Sequence, residues 1–323
     1  MSEPPQTPAE QSQVVDDRPQ QPRKVQQQLQ FIERIEAVNR QVERGTADIA
    51  YMSEPLTRMH FPMDKPDASM LIFERRDGNK NMRIIAHPEY GLPYGSDDLR
   101  VCAGIMTQAR ETNSKVIEFK RGADMLRYFG FSTNGRGYNE AIASLRRLGG
   151  FQIEIVETKE EGKDQKKRKK TLFQYGKLFE EIVLWKDSMD EQLNLSACST
   201  RIVLTDQFAR FVHTSRARGF EFERLKHLRS SAGESQLFVF LRDRAAALDS
   251  GEPAFIPIHG PNSIESQLGW VKTPKPEKVR WFIKKWIKAL RAGVWPECPG
   301  EVVQAHNGIW RLKIWHVPGP AKP

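Results

Sequence analysis

The sequence predicts an α+β protein with two winged-helix domains in tandem, each a helix-turn-helix followed by a β-hairpin, behind a disordered N-terminal tail. One order of helices and strands occurs twice, the later copy contains a long amphipathic helix with a cationic face, and a basic run follows the third helix of the earlier copy. The expected divisions are a tail and flanking helix at 1–45, an extension with a β-hairpin at 46–92, a first winged helix at 93–205, and a second one with its linker helix at 206–323.

The charge balance favours a polyanionic partner. The 323 residues include 50 Lys and Arg against 41 Asp and Glu, which gives a formal charge of +9 and a pI of about 9.4. A protein this basic is expected to meet nucleic acid or an acidic membrane surface. Hydrophobic residues make up 39% of the chain, which is sufficient for compact cores despite a mean hydropathy of −0.59.

The N-terminal sequence, the apolar stretches and the cysteines together indicate the cellular location of the protein. The N-terminus MSEPPQTPAEQ lacks the basic and apolar parts of a secretory signal, and no apolar stretch is long enough to span a bilayer. We therefore expect nucleic acid as the partner, with no membrane. Cys102, Cys198 and Cys298 are scattered and odd in number, which indicates a reduced, cytoplasmic protein without a disulfide framework.

The N-terminal region has three expected parts. Residues 1–25 are rich in Pro, Gln and Ser and are predicted to be disordered. A weak helical pattern over 25–44 predicts a short helix that docks on the body. Two apolar runs within 71–86 flank Asp77 and Gly78, a turn dipeptide, and so predict a β-hairpin.

The first copy begins with a helix that Ser96 or Asp97 can cap, since both side chains accept hydrogen bonds from free N–H groups. Its apolar face has helical spacing: Leu99, Cys102, Ala103, Ile105, Met106 and Ala109. The elements expected next are a strand at 116–119, a helix at 122–129, a turn at 130–135, a helix at 138–148 stopped by Gly149 and Gly150, a strand at 151–156, a charged run at 157–170, and strands at 181–185 and 201–205.

The second copy repeats this order after a partly helical connection at 206–232. The elements expected are a helix at 234–248, a strand at 254–258, a helix at 262–268, a turn through Gly269, Pro274 and Pro276, a helix at 276–292, and strands at 302–305 and 309–315 joined by Asn307 and Gly308.

The helix at 277–291 carries the strongest functional signal. One stripe is apolar, and residues 275–291 hold seven Lys or Arg against one acidic residue. Like charges on one helix repel each other, and phosphates would neutralise them while releasing counterions. A solvated basic face or a helix lying on a membrane are the alternatives. Its place as recognition helix favours DNA, and the candidate contacts are Lys272, Lys275, Lys278, Arg280, Trp281, Lys284, Lys285, Lys288 and Arg291.

The third helix of the first copy is the second candidate. Its inner face is predicted at Tyr138, Ala141, Ile142, Leu145 and Leu148. Asn suits adenine and Arg suits guanine in the major groove, so the candidate contacts are Arg136, Asn139, Ser144, Arg146 and Arg147. An ordinary surface helix is the alternative.

The basic run at 159–170 holds seven basic and three acidic residues. It could also be a localisation signal or a tail. Its position between two strands favours a flexible wing that touches the DNA backbone or minor groove and adds affinity with little sequence choice. The candidate contacts are Lys163, Lys166, Lys167, Arg168, Lys169 and Lys170.

Signals of catalysis are weak. The run from Gly130 to Gly137 resembles a P-loop but has Arg136 where Lys is needed and Gly137 where Ser or Thr should bind magnesium. The seven histidines are dispersed, and no His-x-His or zinc-protease motif occurs. We therefore expect no enzyme activity, no catalytic residues, no metal site and no cofactor.

The chain has GLPYG at 91–95, then a predicted helix and strand, and then GADMLRYFGFSTNGRGYNEAIASLRRL at 122–148. This arrangement resembles the plasmid-encoded RepA-type replication initiators. The resemblance spans about 71–315, and 92–150 is its most specific part. It implies tandem winged helices that bind direct repeats of double-stranded DNA at a plasmid origin, melt nearby DNA, and recruit the host initiator and replicative helicase. It also implies a homodimeric form, promoter repression and plasmid copy control.

Two other functions fit the residues. A winged-helix transcription regulator would bind a promoter operator without supporting replication. A nucleic-acid enzyme such as a nickase would need metal ligands that the sequence does not cluster.

Overall fold

The structure is a computed structural model that describes residues 30, 32–33, 35–41, 48–53, 56, 60–77, 80–161, 166–175, 177–185, 199–228, 231–249, 251–260 and 262–318. The predicted disordered tail at 1–25 lies outside the described residues. Residues 35–41 form helix α1, whose Ile35 and Val38 are buried, as expected for a docked helix. The mixed α and β content agrees with the predicted fold class.

The N-terminal hairpin is confirmed. Strand β1 (Ile49–Ser53) precedes it, and the hairpin itself consists of β2 (Ile72–Asp77) and β3 (Lys80–Ile85), paired from Ile72 opposite Ile85 to Asp77 opposite Lys80. Phe73, Met82 and Ile84 alternate toward one buried face.

The first copy follows the predicted order except at 157–170, where the structure has strands in place of the charged run. It contains α2 (Gly95–Thr112), β4 (Val116–Phe119), α3 (Gly122–Tyr128), α4 (Gly135–Gly150), β5 (Gln152–Glu161), β6 (Lys166–Tyr175), β7 (Phe179–Trp185) and β8 (Ser199–Leu204). The predicted inner face of α4 is confirmed, since Tyr138, Ala141, Ile142, Leu145 and Leu148 are all buried.

A connection of three elements leads to the second copy. It contains α5 (Asp206–Thr214), β9 (Ala217–Glu221) and α6 (Phe222–His227). The second copy contains α7 (Ala232–Ala246), β10 (Ala254–Pro257), α8 (Ile264–Gln267), α9 (Pro276–Ala292), β11 (Gly300–Gln304) and β12 (Trp310–Ile314). Strand β9 pairs antiparallel with β1.

The two copies share a strand order as well as an element order. In the first, β8 lies between β4 and β7, and in the second, β12 lies between β10 and β11. In both sheets the last strand therefore lies between the strand that follows the first helix and its hairpin partner, and all pairs are antiparallel.

The basic run does not belong to the hairpin of the first copy, and its prediction as a loop within that hairpin is wrong. Strands β5 and β6 pair with each other from Glu161 opposite Lys166 to Ile153 opposite Tyr175, and β5 continues the sheet of β2 and β3. The order of this sheet is β2-β3-β5-β6. Hydrophobic register explains it, because Ile153 lies opposite Ile84 and both are buried.

Two predicted helix ends also need correction. Helix α2 begins at Gly95 without a side-chain cap, and Asp98 instead accepts the Tyr94 N–H at 2.7 Å. Helix α4 runs through Gly149 and Gly150. A Cβ at Gly149 would lie 2.8 Å from Ile182, and a Cβ at Gly150 would lie 2.8 Å from His87. These glycines allow close packing and do not end the helix.

The turn before α4 explains its glycines without phosphate binding. Asn134 caps the helix by accepting the Gly137 N–H at 2.9 Å, and a Cβ on Gly137 would lie 1.9 Å from the Ser132 carbonyl oxygen. Gly130 has a φ of +71°, which ends α3. The prediction of a turn in place of a P-loop agrees with this geometry.

A short N-terminal segment joins the two copies. Met63 N–H donates to Gly269 O at 2.6 Å, while Gly95 N–H donates to Pro62 O at 2.8 Å. The buried Gln236 amide donates to Phe61 O at 2.7 Å and accepts the Gly269 N–H at 2.9 Å. Because these bonds are buried and short, they hold the turn before α9 against the first copy.

Buried ion pairs fix the connection against α7. Arg242 on α7 bonds Glu221 on β9 at 2.6 Å, with both side chains at most 5% exposed. Arg218 on β9 lies 2.8 Å from Asp243 on α7. Removing one partner of such a pair would leave the other charge buried and uncompensated.

Candidate nucleic-acid interface

Helix α9 presents its basic side chains to solvent. Pro276 lies at its N-terminus, where the missing N–H costs no hydrogen bond. Val279, Ile283, Trp286, Ile287 and Leu290 are buried beneath it, as the apolar stripe predicts. Lys278, Trp281, Lys284, Lys285, Lys288 and Arg291 are all exposed.

An aromatic stack seats the buried side of α9. Trp286 stacks on Trp270 with ring centroids 5.3 Å apart, and Phe282 stacks on Trp286 at 5.5 Å. Gly233 on α7 lets this ring approach, since a Cβ there would lie 2.1 Å from Trp286 Cζ2. Because this packing leaves little freedom, the orientation of the basic face is fixed.

Aromatic rings also hold several of the cations of α9. The Arg280 guanidinium lies 4.3 Å and Lys284 Nζ 5.0 Å from the Trp310 ring, and Lys285 Nζ lies 5.2 Å from the Trp281 ring. Arg280 is itself half-buried. A cation over a ring keeps its charge while losing side-chain freedom, so these groups are positioned before any anion arrives.

The lysines of this face are not committed to protein carboxylates. Within the described part of the chain, no carboxylate oxygen lies within 4 Å of the Nζ atoms of Lys278, Lys284, Lys285 or Lys288. Lys285 acts at longer range on Glu234. Burial raises the pKa of Glu234 above its ordinary value, and the positive charge of Lys285 offsets part of that rise. The charge of α9 is therefore available to an external polyanion.

Arg291 differs from the other α9 cations. Its guanidinium donates to Gly300 O at 2.6 Å and to Cys298 O at 3.3 Å. It ties the C-terminal end of α9 to the start of β11, so these bonds use much of its donor capacity, and its DNA contact stays a prediction.

A cleft of about 440 Å³ separates α9 from β11. Lys284, Lys288 and Arg291 line one wall, and Gly300, Glu301 and Val302 line the other. Lys272 and Lys275, in the turn before α9, are exposed as predicted. These residues extend the basic face at both ends of the helix.

Helix α4 of the first copy is less basic than α9. Asn139, Arg136 and Arg146 are exposed, as predicted, and Arg136 pairs with Glu140 at 2.9 Å. Arg146 lines an open cavity of about 560 Å³ between α4 and β7.

Two of the predicted contacts on α4 are wrong. Ser144 is fully buried, so its hydroxyl cannot reach a base edge. Arg147 donates to both oxygens of the buried Asp98, at 2.7 and 2.8 Å, and its guanidinium lies 4.7 Å from the Tyr94 ring. The helical wheel places both residues near the boundary of the apolar face, and the buried carboxylate draws them inward.

The five basic residues predicted to lie on a flexible wing lie on a strand. Lys166, Lys167, Arg168, Lys169 and Lys170 follow one another on β6, the edge strand of the four-stranded sheet. Lys163 lies outside the described residues.

Sequence reasoning missed Trp310, which holds two of the cations. It begins β12 two residues after Gly308 of the hairpin turn. Only an aromatic residue at the start of a strand marks it in the sequence, and its contact with α9 depends on how the hairpin packs. Burial raises the pKa of the Cys102 and Cys298 thiols to about 12, so neither is a ready nucleophile.

The described residues form no group of three or more His, Cys, Asp or Glu side chains placed to hold a metal ion. Among these residues, no helix has the length and apolar character required to cross a bilayer.

Comparison with known proteins identifies a shared fold. A crystal structure of selenomethionine derivatives of domains 2 and 3 of RctB is similar with a TM-score of 0.51 and 10% identity, over 84% of this chain and 97% of that one. A second crystal structure of RctB domains 2–3, covering its residues 155–483, has a TM-score of 0.47 and 10% identity, over 80% and 94%. No protein-family model and no curated protein sequence matches the chain.

Proposed function

We propose that this chain is a replication initiator that binds the direct repeats of a plasmid origin as double-stranded DNA through two winged helices. The observation that carries the proposal is the exposed basic face of α9. Trp310 and Trp281 hold three of its cations, Arg280, Lys284 and Lys285, and among the described residues no carboxylate pairs closely with its lysines. Phosphates would neutralise this face and release counterions.

The winged-helix assignment rests on topology. In each copy the third helix of the order, α4 or α9, occupies the recognition position, and the hairpin β7–β8 or β11–β12 is the wing. The basic hairpin β5–β6 is then an addition to the first copy, contributing phosphate contacts of low sequence selectivity. Fold similarity to RctB domains supports initiation as the function, since RctB is itself a replication initiator.

The proposed role is binding without catalysis. The chain would open the origin by binding in the cytoplasm, and would recruit the host initiator and the replicative helicase. Incubation with supercoiled plasmid and Mg²⁺ or Mn²⁺ should leave the plasmid intact, whereas a nicked product would overturn this part of the proposal.

Selection from a pool of random duplexes tests sequence specificity. We expect one enriched motif, with an affinity that falls linearly in log–log form as salt rises, by a slope of about 0.9 for each phosphate contact. Enrichment of no motif would overturn the proposal of specific binding.

A plasmid assay separates initiation from transcriptional regulation. The selected motif is placed as direct repeats on a plasmid that cannot replicate in the host, and the chain is supplied in trans. Replication that requires both the repeats and the chain supports an initiator. Binding and promoter repression without replication would identify a transcription regulator.

A further inference from the structure

Trp281 is the most exposed large hydrophobic side chain in the described part of the chain, with 55% of its surface open to solvent. It lies in the second turn of α9, on the opposite side from the buried stripe. An indole left this open gives up the free energy of burial unless something covers it.

The ring is held in place. Phe282 contacts it edge-on with centroids 5.0 Å apart and planes at 70°, and Lys285 Nζ lies 5.2 Å from its centroid. Phe282 in turn packs in the Trp270–Trp286 stack. The exposed indole is therefore fixed relative to the core of the second copy.

The residues around the Trp281 ring indicate which kind of partner can cover it. Helical neighbours three, four and seven residues away are Lys278, Lys284, Lys285 and Lys288, all exposed. A protein or lipid surface that covered only an apolar patch would have to desolvate these ammonium groups. The fitting partner is a polyanion that also presents a small apolar group, and the thymine C5-methyl in the major groove is such a group.

Position along the helix agrees with this choice. Recognition helices contact base edges mainly through residues near their N-terminus, and Trp281 is the sixth residue of α9. The phosphate-binding lysines on both sides would then straddle the groove that the ring enters.

We propose that Trp281 is a specificity-determining residue that packs on the C5-methyl of one thymine in the DNA site. The inference rests on the proposed function and adds a defined base to it. The chemistry predicts that the site requires a thymine at one position and that uracil there is a poorer substitute.

Uracil substitution tests this contact, since uracil differs from thymine only by the missing methyl. Each thymine of the selected duplex is replaced in turn, and the dissociation constant is measured for the wild-type chain, for Trp281→Ala and for Phe255→Ala. Phe255 is the matched control because it is also an exposed aromatic, 47% open, on β10 and away from α9. Circular dichroism confirms that each variant is folded.

We expect one position at which uracil weakens wild-type binding by about fourfold, the value of one buried methyl group. The effect should persist in Phe255→Ala and vanish in Trp281→Ala, a coupling that only direct or shared contact produces. A uracil effect that persists in Trp281→Ala, or the absence of any uracil effect in a chain that still binds specifically, overturns the inference and leaves the proposed function standing.

Failure of the proposed function gives a different result, namely no specific duplex binding by the wild-type chain. Vesicles of phosphatidylserine and phosphatidylcholine provide the remaining arm. Vesicle binding that is lost in Trp281→Ala, in a chain without specific duplex binding, would assign the ring to a membrane surface and overturn both proposals.

Discussion

Asp98 and Arg147 join the first turn of α2 to the last turns of α4 through two hydrogen bonds of 2.7 and 2.8 Å. The carboxylate is fully buried and also accepts the Tyr94 N–H at 2.7 Å. This pair fixes the C-terminal end of α4 against α2, at the opposite end of the helix from the exposed Arg136 and Asn139.

Arg147→Ala is expected to lower the free energy of unfolding by about 3 kcal/mol, because it leaves Asp98 buried and uncompensated. Arg146→Ala is the matched control, because Arg146 is the adjacent arginine and its side chain is exposed. That variant should change stability by less than about 0.5 kcal/mol. Urea denaturation measures both, and equal losses would mean that the ion pair does not stabilise the fold.

Reversing the charge of Lys284, Lys285 and Lys288 to Glu is expected to abolish specific DNA binding while leaving the fold intact. All three side chains are exposed, and repulsion from phosphates replaces attraction. Substituting the same residues with Gln should reduce the log–log salt slope by about 3. Fluorescence anisotropy over a range of salt concentrations provides both values.

The control for this variant reverses three exposed charges elsewhere, Lys65, Lys120 and Arg210, with the same change in net charge. It should retain most of the affinity. Unchanged affinity in the α9 variant, or an equal loss in the control, would remove α9 from the recognition role.

Shortening the basic hairpin should weaken binding to unrelated duplexes by a similar factor. Replacing 159–168 with Asn-Gly closes the hairpin at Thr158 and Lys169, which lie opposite each other. A second variant keeps the length and replaces the five basic residues at 166–170 with Thr, a good strand former. Gel shifts with several sequences compare the two.

If charge acts through phosphates, both hairpin variants lose affinity together, and the salt slope falls by about 0.9 for each lost contact. A loss confined to one sequence would instead assign base contacts to the hairpin. A loss in the shortened variant alone would assign its effect to length.

Acid should destabilise the protein through His60. This side chain is buried without hydrogen-bond partners for its ring nitrogens, and burial, aided by the charge of Arg75, lowers its pKa from 6.5 to about 3. Because the folded state keeps His60 neutral while the unfolded state protonates it below pH 6.5, stability falls as pH falls. The contribution between pH 7 and pH 5 is about 2 kcal/mol.

Urea denaturation at pH 7, 6 and 5 measures this effect, and His60→Gln should remove that part of the pH dependence. His306→Gln is the control, since His306 is exposed at the hairpin turn and should leave the dependence unchanged. An identical pH profile for wild type and His60→Gln would show that His60 titrates normally.

Much of the fold follows from the sequence because amphipathic periodicity and turn residues act locally. The stripe of Val279, Ile283 and Leu290 predicts both the extent of α9 and its buried side. The order of the other elements was likewise predictable, except over the charged run at 157–170, since each of these helices and strands has its own pattern.

Strand pairing was not predictable, because it depends on contacts far apart in sequence. The basic hairpin joins the sheet of β2 and β3 through Ile153 and Ile84, and no local signal distinguishes that from pairing within the first copy. The same limit applies to the site. Exposure of Lys284 and Lys288 follows from helix geometry, whereas the burial of Ser144 depends on Asp98, which reaches it from another helix.

The bonds among Phe61, Gln236 and Gly269 limit how the chain can be divided or recombined. A Cβ at position 269 would lie 1.8 Å from the Phe61 carbonyl oxygen, so a chimaera that imports a foreign C-terminal half must bring a glycine there and a glutamine at 236. A graft without them would lose these buried bonds and loosen the junction between the halves. Under the proposed function, such a chimaera would bind a DNA sequence matched to their native spacing less tightly.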